Sequence, residues 1–177
     1  MNDWLQTFTK KKFYPLYPVL DEICIEDIAH SLSLQCRFNG HCKEFYSVAQ
    51  HSVLMSLRYS EPELQLYALL HDASEAYLSD LPRPLKYRPE FKFYRDAERY
   101  LQQLIYIKFG LSSEEPPCIK KADLEMLIDE AMTPEIMYPL HPHWLARGPV
   151  VRKNFVSWKP EEAEENYLSQ FRLLKNE

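Results

Sequence analysis

Apolar residues recur at helical spacing along most of the chain, whereas the alternation typical of strands is confined to Val150-Val151. Ser47 suits the start of a helix, and Gly110 suits the end of one. Residues 1–20 are rich in aromatic residues and proline, which predicts an irregular arm over the core. The fold is therefore predicted to be all-α, with helices at about 25–36, 47–59, 61–78, 90–109, 117–132 and 160–175.

The composition predicts one folded domain. With 177 residues and a mass of 21.1 kDa, the chain has the length of a single domain spanning 1–177, with its core at about 25–132. Its 46% hydrophobic and 14% aromatic content excludes disorder as the dominant state. Only three glycines are present, so glycine-rich phosphate loops are excluded. A net charge of −5 argues against a general nucleic-acid or membrane-surface binder.

The cysteines predict free thiols in a reducing compartment. No pair has the C-x-x-C spacing of a structural zinc site. Neither an apolar signal segment nor a run of about 18 apolar residues is present. We therefore expect a cytoplasmic protein in which four thiols are unpaired, those of Cys24, Cys36, Cys42 and Cys118.

Ionisable residues interrupt the apolar faces of three predicted helices. His51 lies on the apolar face of the second helix. His71 and Glu75 lie on that of the third, where Asp72 leans inward beside them, and Asp123 lies on that of the fifth. Buried charges need partners, and two imidazoles with two carboxylates suit a divalent transition metal. From spacing alone, a metal centre and ordinary hydrogen-bonded core residues are equally well supported.

The same residues carry a family resemblance. The pattern at positions 51, 71–72 and 123 resembles the H…HD…D signature of the HD-domain metal-dependent phosphohydrolases. The HDASE block at 71–75 and the DLPRPLKY block at 80–87 resemble the 5′-deoxynucleotidase branch of that family, as does the pair Arg37-Phe38. Small phage and bacterial enzymes that hydrolyse dATP are the most similar members. The resemblance covers about three-fifths of the chain and implies an HD-type helical bundle.

The resemblance also implies a metal centre and a catalytic acid. Its ligands would be His51, His71, Asp72 and Asp123, holding Zn, Co, Mn, Ni or Fe. Three further residues would take part in catalysis. Glu75 would orient or deprotonate the attacking water, Asp80 would assist it or hold a second ion such as Mg²⁺, and Arg37 would contact the phosphate in a bidentate pose.

Further residues would bind the substrate. Phe38 would form a wall against C2′ of a deoxyribose, and Lys86 would bind phosphate. Arg83 and Lys121 would assist, the second because it neighbours Asp123 in sequence. Ile23 and Pro82 would line the base pocket. Ordinary core packing explains these two residues and Phe38 at least equally well.

The resemblance therefore predicts a phosphohydrolase of free deoxynucleotides that converts dATP into deoxyadenosine and triphosphate. One alternative is a 5′-deoxynucleotidase that releases phosphate from deoxynucleoside monophosphates. Another is a catalytically idle HD fold that senses nucleotides. We expect a homo-oligomer, either a dimer or a hexamer, with no nucleic-acid polymer or membrane as partner. A phage-encoded protein would act in the host cytoplasm.

Overall fold

Helices account for most of the fold, as the periodicity predicts. The computed structural model describes residues 3–138 and 156–176. Within these residues the α-helices are α1 (Ile25–Leu34), α2 (Val48–Ser56), α3 (Pro62–Leu70), α4 (Glu75–Leu78), α5 (Arg83–Lys86), α6 (Lys92–Lys108), α7 (Pro117–Ala131) and α8 (Pro160–Lys175). Short 3₁₀ turns lie at Leu20–Glu22, Arg37–Gly40 and Pro89–Phe91. The suggested strand at Val150-Val151 lies outside the described residues.

Local sequence signals account for the helix ends. The Ser47 hydroxyl accepts a hydrogen bond from the Gln50 backbone N–H at 3.0 Å and caps α2. Proline occupies the first turn of α3, α7 and α8, where its missing N–H costs no hydrogen bond. Gly110 follows α6 with a φ of 81°, a conformation that side chains with a Cβ rarely adopt.

The N-terminal arm is more regular than predicted. Strands β1 (Leu5–Gln6) and β2 (Lys12–Phe13) pair antiparallel in a small hairpin. The arm is fixed to α1, because the Thr9 backbone N–H and hydroxyl donate to the Asp27 carboxylate at 2.7 and 3.0 Å. Phe13 is fully buried and stacks on Tyr77 at 4.0 Å between ring centroids. The hairpin therefore completes the core rather than lying loosely over it.

Helix α8 packs against α1, α2 and α3 and closes the core around them. Tyr167 on this helix is fully buried and donates from its hydroxyl to the Leu69 carbonyl at 2.8 Å. The segment that leads into α8 is held by Gln50 on α2, whose amide bonds the Val156 carbonyl and the Trp158 N–H at 2.7 and 2.9 Å. Helix α2, which carries a predicted metal ligand, is thus also held by the segment that leads into α8.

The cysteines agree with the sequence prediction. All four thiols are free, and two of them, those of Cys36 and Cys42, lie 3.2 Å apart. Among the described residues, no helix has both the length and the apolarity needed to cross a bilayer.

We expect Phe171→Ala to lower the free energy of unfolding by about 3–5 kcal/mol, because it would open a cavity between α8 and α6. Phe171 is 3% exposed and meets Phe109 edge to face at 5.0 Å. Urea unfolding followed by circular dichroism measures the change. Leu173→Ala on the same helix is the control, because Leu173 is 71% exposed and its truncation should cost less than about 0.5 kcal/mol. Equal losses in the two variants would contradict the packing described here.

Candidate metal centre and adjoining cavities

Four side chains predicted as metal ligands converge on one point. The Nε2 atoms of His51 and His71 lie 3.3 Å apart, and Oδ2 of Asp72 lies 3.0 Å from Nε2 of His71. Oδ1 of Asp123 lies 3.6 Å from Nε2 of His51 and 3.9 Å from Nε2 of His71. The histidine side chains are 0% and 5% exposed, whereas the aspartates keep about a fifth of their surface. Helices α2 and α7 and the turn after α3 thus bring their ionisable groups together.

The hydrogen bonds at the far side of each imidazole set its tautomer. Nδ1 of His51 lies 2.6 Å from Oε1 of Glu130, and Nδ1 of His71 lies 2.8 Å from the Ala68 carbonyl oxygen. Both partners are acceptors, so each Nδ1 carries the hydrogen and donates it. In the neutral rings, both Nε2 lone pairs therefore face the aspartates and each other. Two facing lone pairs beside two carboxylates are stabilised by a cation, and this donor set fits a divalent transition metal.

The chain is not helical through the His71-Asp72 pair, although one helix was predicted there. Helix α3 ends at Leu70, and α4 begins at Glu75. The intervening turn has the tighter hydrogen bonds of a 3₁₀ helix, for example from the Ala73 N–H to the Leu70 carbonyl at 2.9 Å. The Gln102 side chain on α6 also bonds this turn, because its amide donates to the Leu70 carbonyl at 2.7 Å and accepts from the Ser74 N–H at 3.0 Å.

Lys120, rather than Lys121, reaches the metal centre. The Lys120 ammonium lies 2.9 Å from Oδ2 of Asp123. Lys121 is 79% exposed, and its nearest acidic partner is Glu125 at 3.9 Å. The reason is helical phase: residues three apart share a face of a helix, whereas residues two apart do not. The expectation that Lys121 assists at the site is therefore wrong.

Arg37 is oriented by a residue that the sequence analysis missed. Its Nε and Nη2 atoms lie 3.1 and 3.0 Å from Oε2 of Glu130 on α7, a fully buried carboxylate. Its Nη1 lies 3.7 Å from Oδ2 of Asp72. Burial alone would lower the pKa of Arg37, but Glu130 and Asp72 outweigh it and raise the pKa. Because Glu130 occupies the Nε and Nη2 side of the guanidinium, Nη1 is left to face the metal centre.

Phe38 lies beside this guanidinium. The 3₁₀ turn that carries both residues has left-handed backbone at Phe38, with a φ of 55°. The ring centroid is 5.7 Å from Cζ of Arg37, within cation–π range. A half-buried aromatic ring in a strained backbone conformation thus forms part of a cavity wall.

A second acidic cluster adjoins the metal centre. Carboxylate oxygens of Glu75, Asp80 and Glu98 lie within 4.8 Å of one another. Lys86 bridges two of them, because its ammonium lies 2.9 Å from Asp80 and 2.7 Å from Glu98. Burial would lower the pKa of Lys86, but these carboxylates raise it, so the ammonium stays charged. Glu98 on α6 did not emerge from the sequence, since it lies on a mostly polar stretch.

Glu75 is the buried member of this cluster. Its side chain is 9% exposed, and among the described residues no hydrogen bond or ion pair reaches its carboxylate. Burial raises the pKa of Glu75 well above its usual value, and the neighbouring charges of Asp72 and Asp80 add to the effect. This carboxyl group therefore holds its proton to a higher pH than an exposed glutamate does.

Two cavities meet at Glu75. The first has a volume of about 700 Å³ and extends from the metal centre past Lys86. The second has a volume of about 510 Å³, and its walls hold five other residues predicted for catalysis or substrate binding. They are Arg37, Phe38, Asp80, Pro82 and Arg83. Ile23 is placed elsewhere: it is 1% exposed within the hydrophobic core and lines neither of these cavities, so its packing explains it.

The metal centre is expected to bind metal more tightly as the pH rises. Burial would lower the pKa of His71, but Asp72 and Asp123 outweigh it and raise the pKa to about 9. Burial would raise the pKa of both aspartates, yet the histidines hold them well below the usual range, so they stay ionised. Below pH 9, metal must displace the His71 proton, and we expect the affinity for Co²⁺ to rise by about tenfold per pH unit between pH 6 and 8.5. Titration followed by visible absorbance measures it. An affinity independent of pH would show that His71 is not a ligand.

Comparison with known proteins reveals two relatives without an assigned function. The chain is 44% identical over 128 residues to the uncharacterized protein YfdR of Escherichia coli K12, an alignment that covers 72% of this chain and 70% of that protein. It is 34% identical over 127 residues to an uncharacterized protein of Rhodobacter capsulatus, covering 67% of this chain and 64% of that protein. No protein-family model matches the chain.

Proposed function

The chain belongs to the protein family of Escherichia coli YfdR, and we propose that it is a metal-dependent phosphohydrolase of the HD-domain type that acts on free deoxynucleotides. One observation carries the proposal: His51, His71, Asp72 and Asp123 converge with both Nε2 atoms turned inward. The carboxyl group of Glu75, which has no partner among the described residues, lies beside them. If the four side chains formed only a structural ion-pair network, an adjoining carboxyl group without a partner among the described residues would have no role there.

The four converging side chains would hold the metal. When bound, a divalent metal such as Zn²⁺, Co²⁺, Mn²⁺, Ni²⁺ or Fe²⁺ lowers the pKa of a water ligand and neutralises charge on a phosphate oxygen. The mixed imidazole and carboxylate donors accept all of these ions, so cellular supply decides among them. A second ion such as Mg²⁺ would take its oxygen donors from Glu75, Asp80 and Glu98.

Glu75 would act as the general base. It accepts a proton from the attacking water as the new bond to phosphorus forms and the bond between phosphorus and the 5′ oxygen breaks. The same carboxyl group can then return the proton to the departing 5′ oxygen, because its pKa is raised by burial. The cavities on its two sides give room for a nucleoside next to Phe38 and for phosphate next to Lys86.

Positive charge near the phosphate would come from side chains that the fold already orients. Nη1 of Arg37 faces Asp72 at the edge of the metal centre, and the ammonium of Lys86 lies in the first cavity. Arg83 lines the second cavity at its exposed end, where its Cζ lies 5.2 Å from the Tyr87 ring. Phosphoryl transfer needs positioning and charge more than covalent help, so this arrangement supports a phosphohydrolase, and the preference for dATP rests on the sequence resemblance.

The pairing of the lysines favours a second candidate, a 5′-deoxynucleotidase. Lys86 is shared by Asp80 and Glu98, and Lys120 is paired with Asp123, so neither ammonium is free to meet a triphosphate tail. A monophosphate carries less charge and needs fewer such contacts. The two candidates use one site and differ in the product that is released.

Product analysis tests the proposal. The purified protein is incubated with the four dNTPs, the four dNMPs and the matching ribonucleotides, with Co²⁺, Zn²⁺, Mn²⁺ or EDTA. We expect metal-dependent conversion of dATP to deoxyadenosine and triphosphate. Phosphate released from monophosphates alone would establish the nucleotidase instead. Inactivity across the panel with every metal would favour an idle nucleotide-sensing fold and would refute the proposal.

Glu75→Gln is expected to lower kcat by about 10²–10⁴-fold, because the amide cannot accept the proton of the attacking water. The metal content should stay the same as in the parent protein, since the four ligands are unchanged. Elemental analysis and steady-state kinetics measure the two quantities. Glu63→Gln is the matched control, because Glu63 is exposed on α3 and should leave both unchanged. Full turnover in Glu75→Gln would exclude Glu75 as the base.

A further inference from the structure

We propose that Glu130 is a positioning residue that fixes the metal ligand His51 and the substrate arginine Arg37 through one carboxylate. The half of this inference that concerns Arg37 rests on the proposed function. The half that concerns His51 rests only on the metal centre.

The geometry assigns each oxygen of Glu130 its own partners. Oε1 accepts from Nδ1–H of His51 at 2.6 Å and from the Tyr46 hydroxyl at 2.9 Å. Oε2 accepts from Nε and Nη2 of Arg37 at 3.1 and 3.0 Å. The carboxylate is 0% exposed, so these four contacts replace its hydration. The partners come from three separate places in the chain: the 3₁₀ turn at Arg37, the loop before α2, and α2 itself.

Each of these contacts needs an acceptor. His51 must donate from Nδ1 if its Nε2 lone pair is to face the metal. Arg37 has no acceptor atom, so its Nε and Nη2 also require one. An ionised carboxylate satisfies both sides at once, whereas a carboxamide has one acceptor atom and one donor group. In Glu130→Gln, the amide nitrogen must therefore face either Arg37 or Nδ1 of His51.

Both orientations of that amide disturb the site. With its nitrogen toward Arg37, donor meets donor and the guanidinium loses its alignment. With its nitrogen toward His51, the imidazole is driven to the other tautomer, which carries its hydrogen on Nε2 and cannot bind metal there. Glu130 therefore determines which nitrogen of His51 is available, and it directs Nη1 of Arg37 toward Asp72.

A neighbouring ion pair on the same helix provides the comparison. Asp129 is 6% exposed, and its Oδ2 lies 2.7 Å from Nη2 of Arg58. The pair has the same chemical types as Glu130 with Arg37, but no hydrogen bond or ion pair among the described residues joins Asp129 to a metal ligand. Asp129→Asn therefore removes a buried carboxylate from α7 without touching the metal centre.

We expect Glu130→Gln to weaken Co²⁺ binding by about 10–100-fold at pH 7.5, whereas Asp129→Asn leaves it unchanged. Co²⁺ titration of the whole protein measures the affinity, and circular dichroism establishes that each variant is folded. If the protein hydrolyses deoxynucleotides, Glu130→Gln should also raise KM more than Asp129→Asn does. Equal Co²⁺ affinities of folded Glu130→Gln and the parent protein would overturn the proposal.

The tautomer can also be read in the unaltered protein. In ¹⁵N NMR spectra of the metal-free protein at high pH, we expect the hydrogen of His51 on Nδ1, with its proton signal shifted downfield by the short bond to the carboxylate. A hydrogen on Nε2 would overturn the proposal even if Glu130→Gln failed to fold. Because neither measurement uses a nucleotide, an inactive protein with the expected Co²⁺ affinities would refute the proposed function and leave the role of Glu130 intact.

Discussion

The buried carboxylate of Glu130 is the interaction on which the candidate site depends. A charge with no exposure to solvent is tolerated only when donors surround it, and here the donors come from Arg37, Tyr46 and His51. Burial would raise the pKa of Glu130, but Arg37 and His51 hold it below its usual value. The ionised form is therefore the one that joins α7 to α2 and to the 3₁₀ turn. These are the elements that form the metal centre and one wall of the second cavity.

The charges around this carboxylate also make the site suited to a cation. Acidic groups outnumber the basic side chains among the described residues that line the metal centre and the adjoining cluster. Lys86 and Lys120 neutralise part of the excess by pairing with Asp80, Glu98 and Asp123. Asp72 and Glu75 have no lysine partner among the described residues, and Asp72 shares its arginine with Glu130. A divalent ion between the histidines would neutralise part of this remaining negative charge.

The sequence predicted the helices and the four converging side chains because both follow from helical period. A polar residue on the apolar face of a helix can be recognised from the sequence alone, as His51 and Asp123 were. Glu130 lies two turns beyond Asp123 on the same face of α7 and could have been found by extending that stripe. Its partner could not have been predicted, because 93 residues separate Arg37 from Glu130 and no local pattern encodes their contact. The role first given to Lys121 failed for a simpler reason, since nearness in sequence was used in place of helical phase.

The interrupted helix at His71 shows why local propensity could not predict the position of Glu75. In a continuous α-helix, residues four apart differ by roughly 40° around the axis, so Glu75 would project beside His71 toward the metal. Ideal 3₁₀ geometry would make that difference roughly 120°, and Glu75 lies where the two cavities meet. Gln102 on α6, 32 residues beyond Leu70, bonds this turn at the Leu70 carbonyl and the Ser74 N–H. A distant amide thus helps to hold the turn in which the helical pitch changes between His71 and Glu75.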